Sequence, residues 1–220
     1  MHISSKIFVH KPITLDCQLK EISSEGKRLY ETPDGVFPSV TTVVGFQKQQ
    51  FFAEWRAKNP EESKRVTSRG TKFHSVIEKY LKNEDLDYDN IHSNLKSLFS
   101  ILRPELDKID NIVALETPLW SKTLGLAGRT DCIAEYDGKL SIIDFKASTK
   151  QKREKDIDNY FAQACAYALM FQERTGIIVD NFAILIACED GLRQVFQGNP
   201  IKHVKALKSL IKEYHDASIL

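Results

Sequence analysis

GRTDCIAEYDGKLSIIDFKAS, residues 128–148, decides how this chain folds. Apolar residues dominate both sides of Asp137-Gly138, a dipeptide that suits a two-residue type I′ loop because both central positions need positive φ. The spacing predicts two antiparallel strands in which Tyr136 faces Lys139. Counting outward along both strands brings Asp131 opposite Asp144. Directly opposed residues project to one side of a sheet, so Arg129, Asp131, Asp144 and Lys146 share a face while Cys132, Ile143 and Phe145 take the other. Two facing carboxylates repel, more strongly when buried, unless one is protonated or a cation lies between them. A divalent metal resolves the conflict. So does a solvated face on which Arg129 and Lys146 neutralise the acids, or a slipped register in which the two never meet.

The flanking sequence places this hairpin in an α/β fold. NIVALETPLW precedes it as a strand, and IIVDNFAILIAC and LRQVFQ follow as strands around Glu189-Asp190-Gly191. Between them, DIDNYFAQACAYALMFQERTG has helical spacing and a closing Gly176. Asn59-Pro60-Glu61-Glu62 offers an N-cap, a proline at the first helical position and first-turn acids, so a long helix runs to about Leu81, with Gly70 a place for a break. IHSNLKSLFSILRPELDKI reads as one or two helices ending near Asp110, and Ile201 to Ala217 as an amphipathic helix. Near the start, CQLKEISSEGKRLYETPDGVFPS reads as a β-hairpin followed by a turn, with helical pattern from Thr41. The expectation is a central mixed β-sheet flanked by helices, within one domain: hairpin and helices over 1–58, core over 59–198, C-terminal helix over 199–220.

Composition excludes more than it identifies. The 31 basic and 30 acidic residues nearly cancel, so nucleic-acid binding has to come from local patches. Cys17, Cys132, Cys165 and Cys188 form no CxxC pair, which excludes a zinc ribbon or iron–sulfur spacing and fits free thiols in a reducing compartment. No apolar run approaches the roughly 20 residues needed to span a bilayer. The reading is a soluble, cytoplasmic protein with no membrane partner.

RGTKFHSVIEKYL sets His74 and Glu78 one helical turn apart, and YFAQACAY does the same for Gln163 and Tyr167, with Tyr160 a turn earlier. Alone, each is an ordinary amphipathic stripe. In this order, G-x-x-x-H-x-x-x-E, G-R-x-D, D-F-K and Q-x-x-x-Y resemble the PD-(D/E)xK nuclease superfamily, in its RecB-like exonuclease branch. YETPDGVFPSVTTVVG also resembles the start of small members akin to the mitochondrial genome maintenance exonuclease and phage exonucleases. The resemblance implies a restriction-endonuclease-like core, with metal held by His74, Asp131, Asp144 and the Phe145 carbonyl and with Lys146 as the catalytic lysine. It further implies that Glu78, Gln163 and Tyr167 support the site. Thr130 stands where the superfamily name has proline, a departure usual in this branch. Glu116, on the preceding strand, reads as an exposed carboxylate, with help to a metal the alternative.

Carboxylate and carbonyl oxygens suit Mg²⁺, and a histidine ligand makes Mn²⁺ a good substitute; one or two ions are both compatible. Lys146 can position water, take its proton or offset charge on the phosphate. Phosphate contacts are expected from Lys64, Arg65, Arg69 and Lys72, from Arg129, and from Lys150, Lys152, Arg153 and Lys155, with Tyr160 nearby. Lys202, Lys205, Lys208 and Lys212 read as a solvated helix face. Phe51, Phe52 and Trp55 are expected in the core, with base stacking the alternative. The activity implied is a metal-dependent DNA exonuclease acting on single-stranded or free ends in repair, recombination or phage DNA metabolism. The competing readings are a structure-specific endonuclease and a catalytically silent nucleic-acid-binding protein.

Overall fold

The computed structural model describes residues 6–15, 19–24 and 27–218; Cys17 and the Glu25-Gly26 dipeptide lie outside them. The N-terminal hairpin is larger than the sequence predicts. β1 (Lys20–Ser24), β2 (Lys27–Thr32) and β3 (Gly35–Pro38) form a three-stranded antiparallel sheet, because Thr32 and Gly35 pair across Pro33-Asp34 and return the chain for another strand. Ser39 then caps α1 (Val40–Val44) by accepting from the Thr42 amide. A 3-10 turn leads to α2 (Gln49–Lys58), and α3 (Pro60–Leu81) passes through Gly70 unbroken. Packing of Phe73, Val76, Ile77, Tyr80 and Leu81 holds that helix and outweighs the roughly 1 kcal/mol that an interior glycine costs.

After α4 (Ser93–Leu106), which ends short of the predicted Asp110, come β4 (Ile109–Ser121), β5 (Leu126–Tyr136) and β6 (Lys139–Ser148). The loop joining β5 and β6 has Asp137 at φ 52° and Gly138 at φ 77°, the left-handed pair that a type I′ turn requires. α5 (Asp158–Thr175) crosses over to β7 (Asn181–Cys188), which lies parallel to β6; β8 (Arg193–Gly198) and α6 (Val204–Ser218) complete the chain. The sheet order is β4-β5-β6-β7-β8. Of the four strand pairs in this sheet, β6–β7 is parallel and the others antiparallel, as expected where a helix joins the two strands.

Period-two alternation sorts the sheet residues onto two apolar layers. Cys132, Ile143, Phe145 and Leu185 pack with Phe73, Ile77, Leu98 and Leu102 of α3 and α4. Ile133, Ile142, Ile184 and Ile186 pack with Phe161, Ala164 and Phe171 of α5, Leu207 of α6 and Val40 and Val43 of α1. Ends of β5 and β6 therefore lie between two helical layers, with α3 on one side and α5 on the other. Among the described residues no helix is long and apolar enough to cross a membrane.

Candidate active site

The β5–β6 register runs as the sequence predicts from Tyr136↔Lys139 to Cys132↔Ile143, then stops one pair short of the aspartates. Beyond it, Asp131 Oδ2 accepts the Phe145 backbone N–H at 2.9 Å, so a side chain replaces the next rung of the ladder. The N–H and C=O of a strand residue point to the same neighbour, and the Phe145 carbonyl therefore opens on this same gap. On the other flank, Leu115 pairs with Cys132 and Thr117 with Thr130, leaving Glu116 between them at φ 47°. A left-handed glutamate in a strand costs on the order of 1–3 kcal/mol and persists where its surroundings enforce it. Arg129 supplies one such restraint, donating from Nη1 to the Glu116 carbonyl at 2.7 Å.

His74, from α3, completes a cluster: its Nδ1 lies 3.6 Å from Asp131 and 3.9 Å from Glu116. One ligand atom from each of these three side chains lies within 4.8 Å of the other two. Burial alone would lower the imidazole pKa, but the two carboxylates outweigh it and raise His74 to about 9. Asp144 stands apart from this cluster. Its Oδ1 accepts from Lys146 Nζ and from Gln163 Nε2, each at 2.7 Å. Burial pushes the Asp144 carboxyl up, with Asp131 adding to it and Lys146 opposing. The Lys146 ammonium, against its own burial, is held protonated by Asp144 and Asp131 and sits 5.1 Å from the centre of the Tyr160 ring.

These groups fit a hard divalent ion. The donors are carboxylate oxygens and one imidazole, a set suited to Mg²⁺ or Mn²⁺. Buried Asp144 Oδ2 also has no hydrogen bond, although the Lys146 ammonium is 2.7 Å away. A ligating imidazole must be neutral, so a metal at His74 would compete with a proton. Mn²⁺ binding is expected to tighten as pH rises toward about 9 and to release a proton below that. Calorimetry of the wild-type chain in two buffers of different ionisation enthalpy measures the release; a heat independent of buffer rejects His74 as a ligand.

The remaining residues singled out from sequence divide between cleft and scaffold. Glu78 lines a cleft of about 450 Å³ with His74, Glu116 and Arg28, but its carboxylate pairs with Lys82 at 2.6 Å and stays outside the cluster. Lys72 and Lys150 are exposed, and Lys152 is partly so. Arg69 is not available to phosphate: its side chain is 7% exposed and bonds Glu189, the Ala147 carbonyl and Thr149. Arg65 pairs with Glu62 and Glu189, Lys64 with Glu61, and Arg153 with Asp156. Arg129 is engaged with the Glu116 backbone. Lys202, Lys205, Lys208 and Lys212 are exposed, as expected of a solvated face. Glu116, which the sequence presents as an exposed carboxylate, lies in the cluster; its signal is positional, because counting along β4 places it beside Asp131, between the pairs on either side.

Gly128 and Tyr167 explain each other. A Cβ on Gly128 would lie 2.8 Å from the Tyr167 hydroxyl oxygen and 3.3 Å from its ring, so the strand must be bare where α5 crosses. Tyr167 is buried and cannot swing aside. Gly128→Ala is expected to cost about 1–3 kcal/mol through overpacking, and Tyr167→Phe in the same chain to recover part of it. Thermal melts of the single and double variants give the coupling; additive losses reject the contact.

Comparison with known proteins places this geometry. Residues 47–181 match the model of the PD-(D/E)XK nuclease superfamily. Mitochondrial genome maintenance exonuclease 1 of Homo sapiens is 31% identical over 174 residues, covering 71% of this chain and 50% of that protein. Its counterpart from Mus musculus is 33% identical over 129 residues, with 52% and 38% covered, and that from Xenopus tropicalis is 27% identical over 174 residues, with 72% and 50% covered. The chain thus spans at most about half the length of these relatives.

Proposed function

The chain belongs to the PD-(D/E)XK nuclease superfamily, and from that premise we propose that it is a divalent-metal-dependent exonuclease that hydrolyses DNA phosphodiester bonds from single-stranded or free ends. One observation carries the reading: the β5–β6 ladder opens where Asp131, Glu116 and His74 converge, beside a buried Asp144–Lys146–Gln163 group. The three names printed for the relatives support exonuclease action. We assign metal binding to His74, Asp131, Asp144 and the Phe145 carbonyl, the set the family resemblance implies, and add Glu116.

A bound Mg²⁺ or Mn²⁺ would supply Lewis acidity toward the scissile phosphate and a lowered pKa for water. Asp131 ties β5 to the Phe145 amide and so sets the width of the gap. Gln163 and Lys146 together orient Asp144. Lys146 lies against Asp144 and on the wall of the adjoining groove, where its ammonium can donate to a phosphate oxygen or position water. Tyr160 and Lys152 border the approach to that ammonium.

End-labelled linear DNA and closed circular single-stranded DNA, each with Mg²⁺, Mn²⁺ or EDTA, test the proposal. Metal-dependent loss of the linear substrate alone is expected. Cutting of circles would identify an endonuclease, and no cutting of either a binding protein. Repair, recombination and phage DNA metabolism are all compatible settings.

A further inference from the structure

We propose that the aromatic face of α2 is a stacking subsite for unpaired nucleobases, leading one nucleic-acid strand past Phe51, Phe52 and Trp55 to Lys146. The proposal rests on the nuclease reading and adds to it the surface that grips substrate. Helical spacing predicts that these rings fill the core, with base stacking the alternative. Instead α2 contains no buried residue, Phe51 is 65% and Phe52 44% exposed, and their rings meet edge to face at 5.5 Å. Single exposed apolar side chains are common, but contiguous ones beside a functional cleft call for an occupant.

The occupant follows from what else lines the groove. Phe51, Phe52 and Trp55 border a cavity of about 490 Å³ whose wall also includes Arg56, Lys146 and Lys152. The acid on that wall, Glu62, is paired with Arg65 at 2.7 Å. Ring faces interleaved with cations match a strand that alternates flat bases with phosphates, whereas an apolar peptide would leave the cations unmatched. Paired bases in a duplex present no free faces to these rings. The groove is also continuous with the candidate site through Lys146 itself, so a base held on α2 is one whose phosphate chain leads to the ammonium.

The test uses the whole chain in EDTA, with binding read by the anisotropy of a labelled single-stranded oligothymidylate. The comparison probes are the same sugar–phosphate chain carrying abasic sites and a blunt duplex. The wild type is expected to prefer the intact strand over the abasic one. Phe51→Ala/Phe52→Ala is expected to bind the intact strand on the order of tenfold or more weakly and to lose that preference, with duplex binding unchanged. Phe51→Leu/Phe52→Leu is expected to fall likewise, whereas Phe52→Trp keeps the preference. Both rings are exposed, so the melting temperature should not move.

Wild-type affinity in the alanine double variant overturns the subsite, as does an equal loss on intact and abasic strands. A change in sedimentation mass with strand binding intact would give the face to a second copy of the chain. Cleavage by the wild type in Mn²⁺ separates the two levels. If the wild type cuts and the variant binds normally, only the subsite fails; if the wild type cuts nothing, the nuclease reading fails with it.

Discussion

Lys146→Ala is expected to lower phosphodiester cleavage by about 10²–10⁴-fold while leaving the fold in place and weakening oligonucleotide binding far less than cleavage. The ammonium is the cation nearest the buried Asp144 and lies at the mouth of the aromatic groove, where a phosphate would arrive. Removing it does not strand a bare charge. Burial already pushes the Asp144 carboxyl up, so it can take a proton, and Gln163 still donates to Oδ1. Lys146→Arg is expected not to restore activity, because a planar guanidinium cannot take the place of a compact ammonium between Asp144 and the Tyr160 ring. Single-turnover cleavage of end-labelled DNA, alongside anisotropy in EDTA, separates chemistry from binding. A wild-type rate in the alanine variant would reject the assignment.

Glu189→Ala should produce the largest loss of stability, about 3–5 kcal/mol, which corresponds to a melting temperature lower by roughly 6–20 °C. Glu189 sits in the turn after β7 and accepts from Arg65, Arg69 and Asn94. The Arg65 contact is half exposed on the arginine side, so solvent screens part of its contribution. Arg69 is different, because its buried guanidinium would lose the one carboxylate it pairs with among the described residues. Arg69→Met in the same chain is therefore expected to recover much of the loss, since an apolar side chain leaves no charge to compensate.

Acid should erase the difference between wild type and variant. Hydrogen bonds from Arg65 hold the Glu189 carboxyl well below the usual range against the opposing effect of burial, helped by Asn94 and Arg69. A depressed carboxylate contributes its full stability above the unfolded pKa of about 4.3 and loses it as pH falls through the folded value. Melts from pH 7 down to acid should show the gap closing below about pH 4.3. A constant gap would mean that Glu189 acts through packing alone. Activity should fall with stability, because Arg69 also donates to the Ala147 carbonyl and so holds α3, which carries His74, against β6, which carries Lys146.

How much of this was legible before folding can be read from particular residues. Asp137-Gly138 set the β5–β6 register because positive φ at two successive positions is a local demand met within the turn. The His74, Gln163 and Lys146 positions followed from helix and strand periods of a few residues, which also act locally. The same arithmetic went one rung too far for Asp131 and Asp144. Whether a ladder continues depends on what competes for its amides, and here the competitor is the Asp131 side chain itself.

The sequence by itself thus determined the element types, the strand register and the order of the chemical groups, because each is written in spacings shorter than about two helical turns. Only the tertiary structure decided that Glu116 turns left-handed beside Asp131, that Arg69 is spent on Glu189, and that Phe51 and Phe52 of α2 stay exposed. Those outcomes depend on which distant segment arrives to cover a face or claim a charge. A one-dimensional pattern says which side of an element a residue occupies, but the long-range packing of other elements decides what that side meets.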